Sequence, residues 1–325
     1  MTIRGDGVAA YCCAYLLHQA GFQVDLQPMD RPRLPVILLG DHALALIRDI
    51  FRQPGLFADA ARVRKRVVAW GPNAKALEVE HSAVVVSEEA LLAGIRPSLI
   101  TDGDPTHESR WSIFAARPLP VPTVEHCFGS RMASATRVTL REGSDPNACW
   151  IESIEDGWLF LVAGWLLAVG AAAETLLAQS RVVAPQVTSL SKSSGEFPAY
   201  ARIVAPLCAS GWLACGTAAM AFDPICGDGT AHAIREAILA AAVIRALADG
   251  GSEEDLLLHY DARLTAGFGR HLVQCRQFYL SGGTAALWST ELQAMDRGIA
   301  WCEKALSKHS GFRYQLRGFE LEAVR

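Results

Sequence analysis

Two stretches of this chain carry residues whose types and spacing suit the holding of a phosphate. Gly5, Gly7 and Ala10 stand at G-x-G-x-x-A spacing where an apolar helical pattern, Ala9 to Gln19, begins. Glycines in such a turn let the backbone approach a pyrophosphate, and the helix start aims unpaired N–H groups at it. The second stretch runs from Gly216 and Thr217 through Asp223, Pro224, Gly227, Asp228 and Gly229. It joins a short apolar strand, Trp212 to Cys215, to an alanine-rich helix from about Ala231 to Ala248. Two residues there could react. Cys226 lies near a helix start, where thiolate is favoured, and His232 is a candidate acid or base. Each also has a plain reading: Cys226 as a small filler, His232 as a solvated or hydrogen-bonded helix histidine.

The first turn needs a strand before it and another after its helix. Ile3 is the core of a very short first strand, with Arg4 where an apolar residue is usual. Gly21 stops the helix, and Phe22 to Leu26 alternates as a second strand. An acid is wanted about 20 residues on, at the end of that strand, to hold a ribose. Asp25 falls inside the strand, Pro28 occupies the usual place, and Asp30 is the next candidate.

Further along, Val36 to Phe51 reads as one helix, ended by Pro54-Gly55. Val67–Trp70 and Ala83–Val86 read as strands and Glu88–Ala93 as a short helix. The proline-rich stretch 96–123 shows no period and is expected to be a long surface loop. Ala135–Leu140 and Cys149–Ile154 read as strands. Trp158 to Ala178 is almost wholly apolar and near the roughly 20 residues of a membrane span. Gly164 and Gly170 divide it, however, and it reads as two buried strands followed by a helix start. Trp158 and Trp165 are then core residues, and Glu155-Asp156 an exposed turn. The Ser-rich stretch 185–199 is expected to be a loop. Residues 253–308 read as two or three amphipathic helices broken at Gly282-Gly283.

Composition sets the outer limits. The 325 residues are 51% hydrophobic and 20% charged, with a net charge of −4, a globular balance at its apolar end. No basic block points to nucleic acid. Nine cysteines, none in a CxxC pair, read as buried thiols of a reducing cytoplasm, and no paired ligands mark a metal site. Met1 leads into glycines without the apolar core of a signal peptide.

The second glycine stretch resembles the second FAD motif of the flavoprotein monooxygenase, halogenase and geranylgeranyl-reductase group, in which G-D-A-A precedes D-P and a G-x-G opens the helix. Asp223, Pro224, Gly227 and Gly229 match it. Thr217 stands where the group has an aspartate bonded to the ribityl chain. Cys226 stands where halogenases carry a catalytic glutamate, and Lys65 is not in the context of their catalytic lysine. Glu155 to Phe160 is similar to the glycine-tryptophan strand of halogenase-like proteins. Phe278-Tyr279 and Trp288 to Gly298 are similar to the C-terminal helices of flavoproteins that assist maturation of quinone-cofactor amine oxidases and dehydrogenases. Asp102-Gly103 and Arg110 resemble part of a second flavin-contacting loop.

The resemblance implies an α/β fold. A Rossmann-like FAD-binding domain (1–75 and 205–250) would enclose a mostly antiparallel β-sheet substrate domain (76–204), followed by C-terminal helices (251–325). It implies an FAD-dependent oxidoreductase, foremost a monooxygenase hydroxylating an aromatic or apolar substrate, or a protein substrate, through a flavin hydroperoxide. NAD(P)H or a separate reductase would supply electrons. Two other functions fit the same residues: a degenerate flavoprotein fold kept for maturation or binding of a partner, and a flavin-dependent reductase of an isoprenoid-like substrate.

Overall fold

The computed structural model describes residues 1–29, 31, 33–96, 110–191, 195–308 and 313–324. Asp30, Asp102 and Gly103 lie outside these residues. The described helices are α1 (Val8–Gln19), α2 (Asp41–Phe51), α3 (Glu88–Ile95), α4 (Ala173–Gln179), α5 (Gly229–Ala248), α6 (Glu253–Gly282) and α7 (Ala286–Leu306).

A small, mostly parallel sheet carries both glycine turns. Strand Thr2–Arg4 runs parallel to Asp25–Gln27 on one side and to Ser112–Phe114 on the other. Trp212–Ala214 adds in parallel beyond Ser112–Phe114, and Cys208–Ala209 closes that edge antiparallel. Parallel neighbours need a crossover, and α1 supplies the one between Thr2–Arg4 and Asp25–Gln27. Helices α1 and α5 pack on each other with Ala10, Cys13, Ala14, Ala237 and Ala241 buried. Small residues let the two axes approach. The odd Arg4 is accommodated with its guanidinium 5.2 Å from the centre of the Phe114 ring, while its carbonyl accepts the N–H groups of Ala115 and Ala116.

Strand Ser112–Phe114 corrects the expectation of a featureless loop over 96–123. Three residues among prolines give no periodic signal. They become a strand because Ile113, fully buried, is paired on both sides.

The second layer is a large sheet in the order 187–190, 132–140, 165–170, 157–162, 148–154, 62–69, 77–86, 37–40, with 196–198 also on 132–140. Every neighbour pair is antiparallel except 62–69 with 148–154. Three further expectations change here. Val36–Phe51 is not one helix: Ile37–Gly40 pairs with Ala83–Val86, and α2 starts only at Asp41. An apolar run this short does not distinguish a strand from a buried helix. The Ser-rich stretch 185–199 contributes two edge strands. Strands 37–40 and 62–69 belong to the large sheet, whereas 112–114 belongs to the parallel one, so the two sheets interleave more finely than a division at residue 75.

The apolar stretch from Trp158 forms strands Gly157–Val162 and Trp165–Gly170, then α4. Among the described residues no helix is long and apolar enough to cross a membrane. Helices α6 and α7 cover one face of the large sheet. Their joint explains Gly282-Gly283: the Trp288 ring lies on both glycines, and a Cβ on either would stand 2.1–2.2 Å from it. Trp288 donates its indole N–H to the carbonyl of Glu155, at 2.9 Å, in the turn before strand 157–162.

Candidate functional site

The two glycine turns, more than two hundred residues apart in the chain, meet. Gly216 adopts φ +56°, and a Cβ there would stand 2.9 Å from the Ala9 methyl group in the first turn of α1. Its N–H donates to an oxygen of the Glu236 carboxyl group on α5 at 2.7 Å. Gly5, at φ +121°, lies under the chain leaving strand 112–114, where a Cβ would meet Ala115 and Ala116 at 3.1 Å. Ala10 is fully buried, so its small side chain serves helix–sheet packing.

The residues present fit a dinucleotide. Neither Gly7 before α1 nor Asp228 before α5 caps its helix through a side chain, so both helix starts keep N–H groups for an anion. Gly227, at φ +65°, and Gly229 are exposed, and a Cβ on either would project into open space. Thr217 is exposed on the same turn. Arg31 lies over Gly7, its guanidinium 3.1 Å from where a Cβ would be. Asp6, between the two glycines and only 7% exposed, is paired with both Arg31 and Arg33. Arg31 also grips Glu88 at the start of α3. Arg110 is exposed beside the parallel sheet.

Other predicted residues face inward. The Asp223 carboxylate, fully buried, accepts the Ile225 N–H and pairs with Arg131 at 2.6 Å. Pro224 opens the single turn 224–226 that follows. Arg131 is 1% exposed in its side chain and also binds Glu291 on α7 at 2.7 Å. Burial works against its charge, but Asp223, Tyr279 and Glu291 outweigh that and raise its pKa. The guanidinium lies 4.2 Å from the Tyr279 ring centre, and the Tyr279 hydroxyl accepts the Trp158 indole N–H at 3.2 Å. Trp70, Phe278 and Trp288 extend this aromatic group between the large sheet and α6–α7.

Cys226, half-buried, touches Cys275 on α6 with sulfurs 3.5 Å apart, and Cys275 lies 3.2 Å from His271 Nε2. His271 Nε2 also accepts the Asp223 N–H at 2.9 Å, so the proton of the neutral ring sits on Nδ1. Burial lowers the His271 pKa to about 4, which keeps the ring neutral. His232 is stacked on Phe222 at 3.9 Å, and its Nε2 lies 3.0 Å from Asp228. Burial opposes the charge of Asp228, but the hydrogen bond from His232 and the field of both histidines bring its pKa below the usual carboxylate range. Cys226, His271 and Cys275, and likewise Asp228, His232 and His271, are close enough to share a cation. In both groups the lone pair of His271 is already engaged by the Asp223 N–H. Asp228, His232 and His271 line a cavity of about 450 Å³ between α5 and α6.

Sequence reasoning missed Arg131, Glu236, His271 and the Arg31–Asp6–Arg33 group. Only His271 leaves a trace: with Cys275 and Tyr279 it forms a four-residue repeat on one face of α6, beside Phe278-Tyr279.

No protein-family model matches this chain, and no curated protein matches it. Solved structures do. A peptidyl tryptophan dihydroxylase, QhpG, essential for tryptophylquinone cofactor biogenesis, superposes with a TM-score of 0.70 at 17% identity, covering 99% of this chain and 85% of that one. CmlS, a flavin-dependent halogenase, superposes with a TM-score of 0.74 at 16% identity, over 94% of this chain and 70% of its own. The p-nitrophenol 4-monooxygenase PnpA from Pseudomonas putida DLL-E4 gives 0.63 at 13% identity, over 94% and 96%. The chain therefore has the fold of flavin-dependent monooxygenases and halogenases.

Proposed function

We propose that this chain binds FAD across the starts of α1 and α5 and acts as a flavin-dependent oxidoreductase, a monooxygenase of an aromatic or apolar group. The observation that supports it most is the meeting of the two glycine turns at Gly216 and Ala9. A turn built for one phosphate occurs in many folds; a second glycine turn seated on the uncapped start of α1 and running on to a second uncapped helix start suits a long, doubly charged dinucleotide. In this reading the α1 N–H groups, with Arg31 and Arg33, hold the diphosphate. Gly227, Asp228 and Gly229 offer backbone to the flavin ring edge, and the exposed Thr217 faces the ribityl chain. Bound FAD would supply two-electron chemistry and oxygen activation, with electrons from NAD(P)H or a separate reductase.

The substrate side of this reading rests on the buried aromatic group around Trp158 and Tyr279, which gives one face of the large sheet an apolar, aromatic character. The fold shared with the peptidyl tryptophan dihydroxylase and the nitrophenol monooxygenase supports an aromatic substrate, carried on a protein or free. No acid or base is assigned; His232 is committed to Asp228 and Phe222, and Cys226 to Cys275.

One observation favours a second reading, a flavoprotein fold kept for binding a partner. Asp6 places a carboxylate between the two glycines, where a diphosphate would have to lie. The visible absorption spectrum of the purified protein, before and after adding FAD, separates the two. Flavin bands, with FAD released on denaturation, support the oxidoreductase. A colourless protein that leaves the spectrum of added FAD unchanged overturns it in favour of the binding protein.

A further inference from the structure

Cys226, before the start of α5, and Cys275, on α6, belong to no step of the proposed oxidation. Cys226 ends the single turn 224–226, four residues after Phe222 and one before the exposed Gly227. Cys275 comes from the middle of α6, fully buried. Their sulfurs are in contact at 3.5 Å, with no other side chain needed to move between them. The pair also has one accessible member. Cys226 is partly exposed, so a small oxidant reaches it from solvent, while Cys275 waits behind it.

A second thiol pair in the same protein provides the contrast. Cys13 on α1 and Cys215 before Gly216 also lie close enough to raise the Cys215 pKa, yet both are fully buried. Contact alone does not make a pair oxidisable; access of the oxidant to one sulfur does. The remaining described cysteines make no sulfur–sulfur hydrogen bond.

We propose that Cys226 and Cys275 form a peroxide-sensitive dithiol that, when oxidised, ties the turn at the start of α5 to α6 through a disulfide. The oxidant is hydrogen peroxide. The Cys226 sulfur attacks one peroxide oxygen, the O–O bond breaks, and water leaves, giving a sulfenic acid on Cys226. The Cys275 sulfur then attacks the Cys226 sulfur. The S–S bond forms, and the sulfenic oxygen departs as a second water with the Cys275 proton. Two electrons pass from the sulfur pair to peroxide, and two waters are produced. The order is set by position and by protonation. Burial holds the Cys275 thiol well above its usual range, so it is the resolving partner rather than the first nucleophile. The sulfurs need close only from 3.5 Å to the bonded distance of about 2.05 Å, within reach of side-chain rotation and a small shift of the turn.

Metal capture by the same sulfurs is the weaker reading, because His271, the third member of the group, already spends its Nε2 lone pair on the Asp223 N–H. The redox reading rests on the sulfur contact and is tested on protein without added FAD.

The test uses the full chain, first reduced, then treated with a small excess of hydrogen peroxide, and finally alkylated under denaturing conditions. Peptide mapping on the wild-type protein is expected to show two of the nine cysteines protected, joined as a Cys226–Cys275 peptide, and the intact mass before alkylation is expected to be lower by about 2 Da for two lost hydrogens. Dithiothreitol restores both thiols. In Cys275→Ser the disulfide is absent and Cys226 is trapped by dimedone as the sulfenic acid. Alkylation of both cysteines after peroxide treatment, or a linkage joining other cysteines, overturns the proposal. Because the decisive map is made on the wild-type chain, the test does not depend on how well the variant folds.

Discussion

Gly216 and Ala9 lie so close that a single Cβ added to Gly216 would stand 2.9 Å from the Ala9 methyl. That contact holds the second glycine turn against the first turn of α1, and Gly216 meets it with a left-handed φ of +56°. Gly216→Ala is therefore expected to strain the backbone and push α1 away from the turn at once. Overpacking a tight site costs about 1–3 kcal/mol, and the positive φ adds to it. Urea unfolding should show a lower midpoint with an unchanged slope. FAD affinity, measured on the fraction that folds, should fall with it if the helix starts act together. A variant as stable as wild type would mean that the two motifs are adjacent without being coupled.

The same turn carries a pH dependence. Glu236 accepts the Gly216 N–H through one oxygen and is fully buried, and burial pushes its pKa up to about 8. The folded protein therefore holds a proton on Glu236 that the unfolded chain has released. Its contribution to stability is complete below the ordinary glutamate range and is lost as pH rises through about 8. His271 acts on the other side. With its pKa lowered to about 4, the unfolded chain binds a proton that the folded one does not, so stability falls as pH drops from 6.5 toward 4. Between pH 6.5 and 8 Glu236 acts without the histidine. Wild type should lose stability there, by at most about tenfold in the folded-to-unfolded ratio per pH unit. Glu236→Gln keeps an oxygen for the Gly216 N–H and should flatten that part of the curve. A slope that persists in the variant would assign it to another group.

What the sequence made legible follows from how local each signal is. The start of α5 was readable because Asp223-Pro224 and Gly227-x-Gly229 are punctuation that a helix start requires, whatever surrounds it. The division of the apolar stretch at Gly164 and Gly170 was readable for the same reason. Strand 112–114 was not, since its three residues are a strand only because strands 2–4 and 212–214 flank them. Asp223 was recognised as important but placed toward the cofactor. Its carboxylate in fact meets Arg131, ninety-two residues earlier, and no periodicity records such a pairing. His271 and Cys275 are brought to Cys226 by the packing of α6, so that thiol's environment was equally invisible.

Asp6 bears directly on how tightly a dinucleotide is held. Arg31 and Arg33 bring two positive charges to the first glycine turn, and Asp6 and Glu88 bring two negative ones, leaving the group neutral. A diphosphate arriving there finds no net attraction beyond the helix start, and Arg33 must leave Asp6 to reach it. Asp6→Asn removes one negative charge while keeping the shape and one of the two oxygens that accept from Arg33. FAD binding, followed by quenching of flavin fluorescence, should tighten by at least about tenfold, the ceiling being the ~4 kcal/mol, about a thousandfold, that one like charge about 4 Å away costs at an effective dielectric near 20. The gain should shrink as salt is added. Weaker binding in Asp6→Asn would show that Asp6 is needed to place the arginines.

Arg131 is the buried charge on which the inner half of the site depends. It holds Asp223 from the second glycine turn and Glu291 from α7, and it lies against Tyr279, so three elements converge on one guanidinium. Removing it would leave two carboxylates buried without a counter-charge, a loss that usually costs about 3–5 kcal/mol. Arg131→Met should therefore unfold far below wild type in urea. The double variant Arg131→Met, Asp223→Asn should recover part of the loss, because one of the stranded charges is gone. Recovery would show that the penalty is electrostatic. An equal loss in single and double variants would place it in the packing of Arg131 against Tyr279 instead, and the aromatic group between sheet and helices would become the element that fixes the turn.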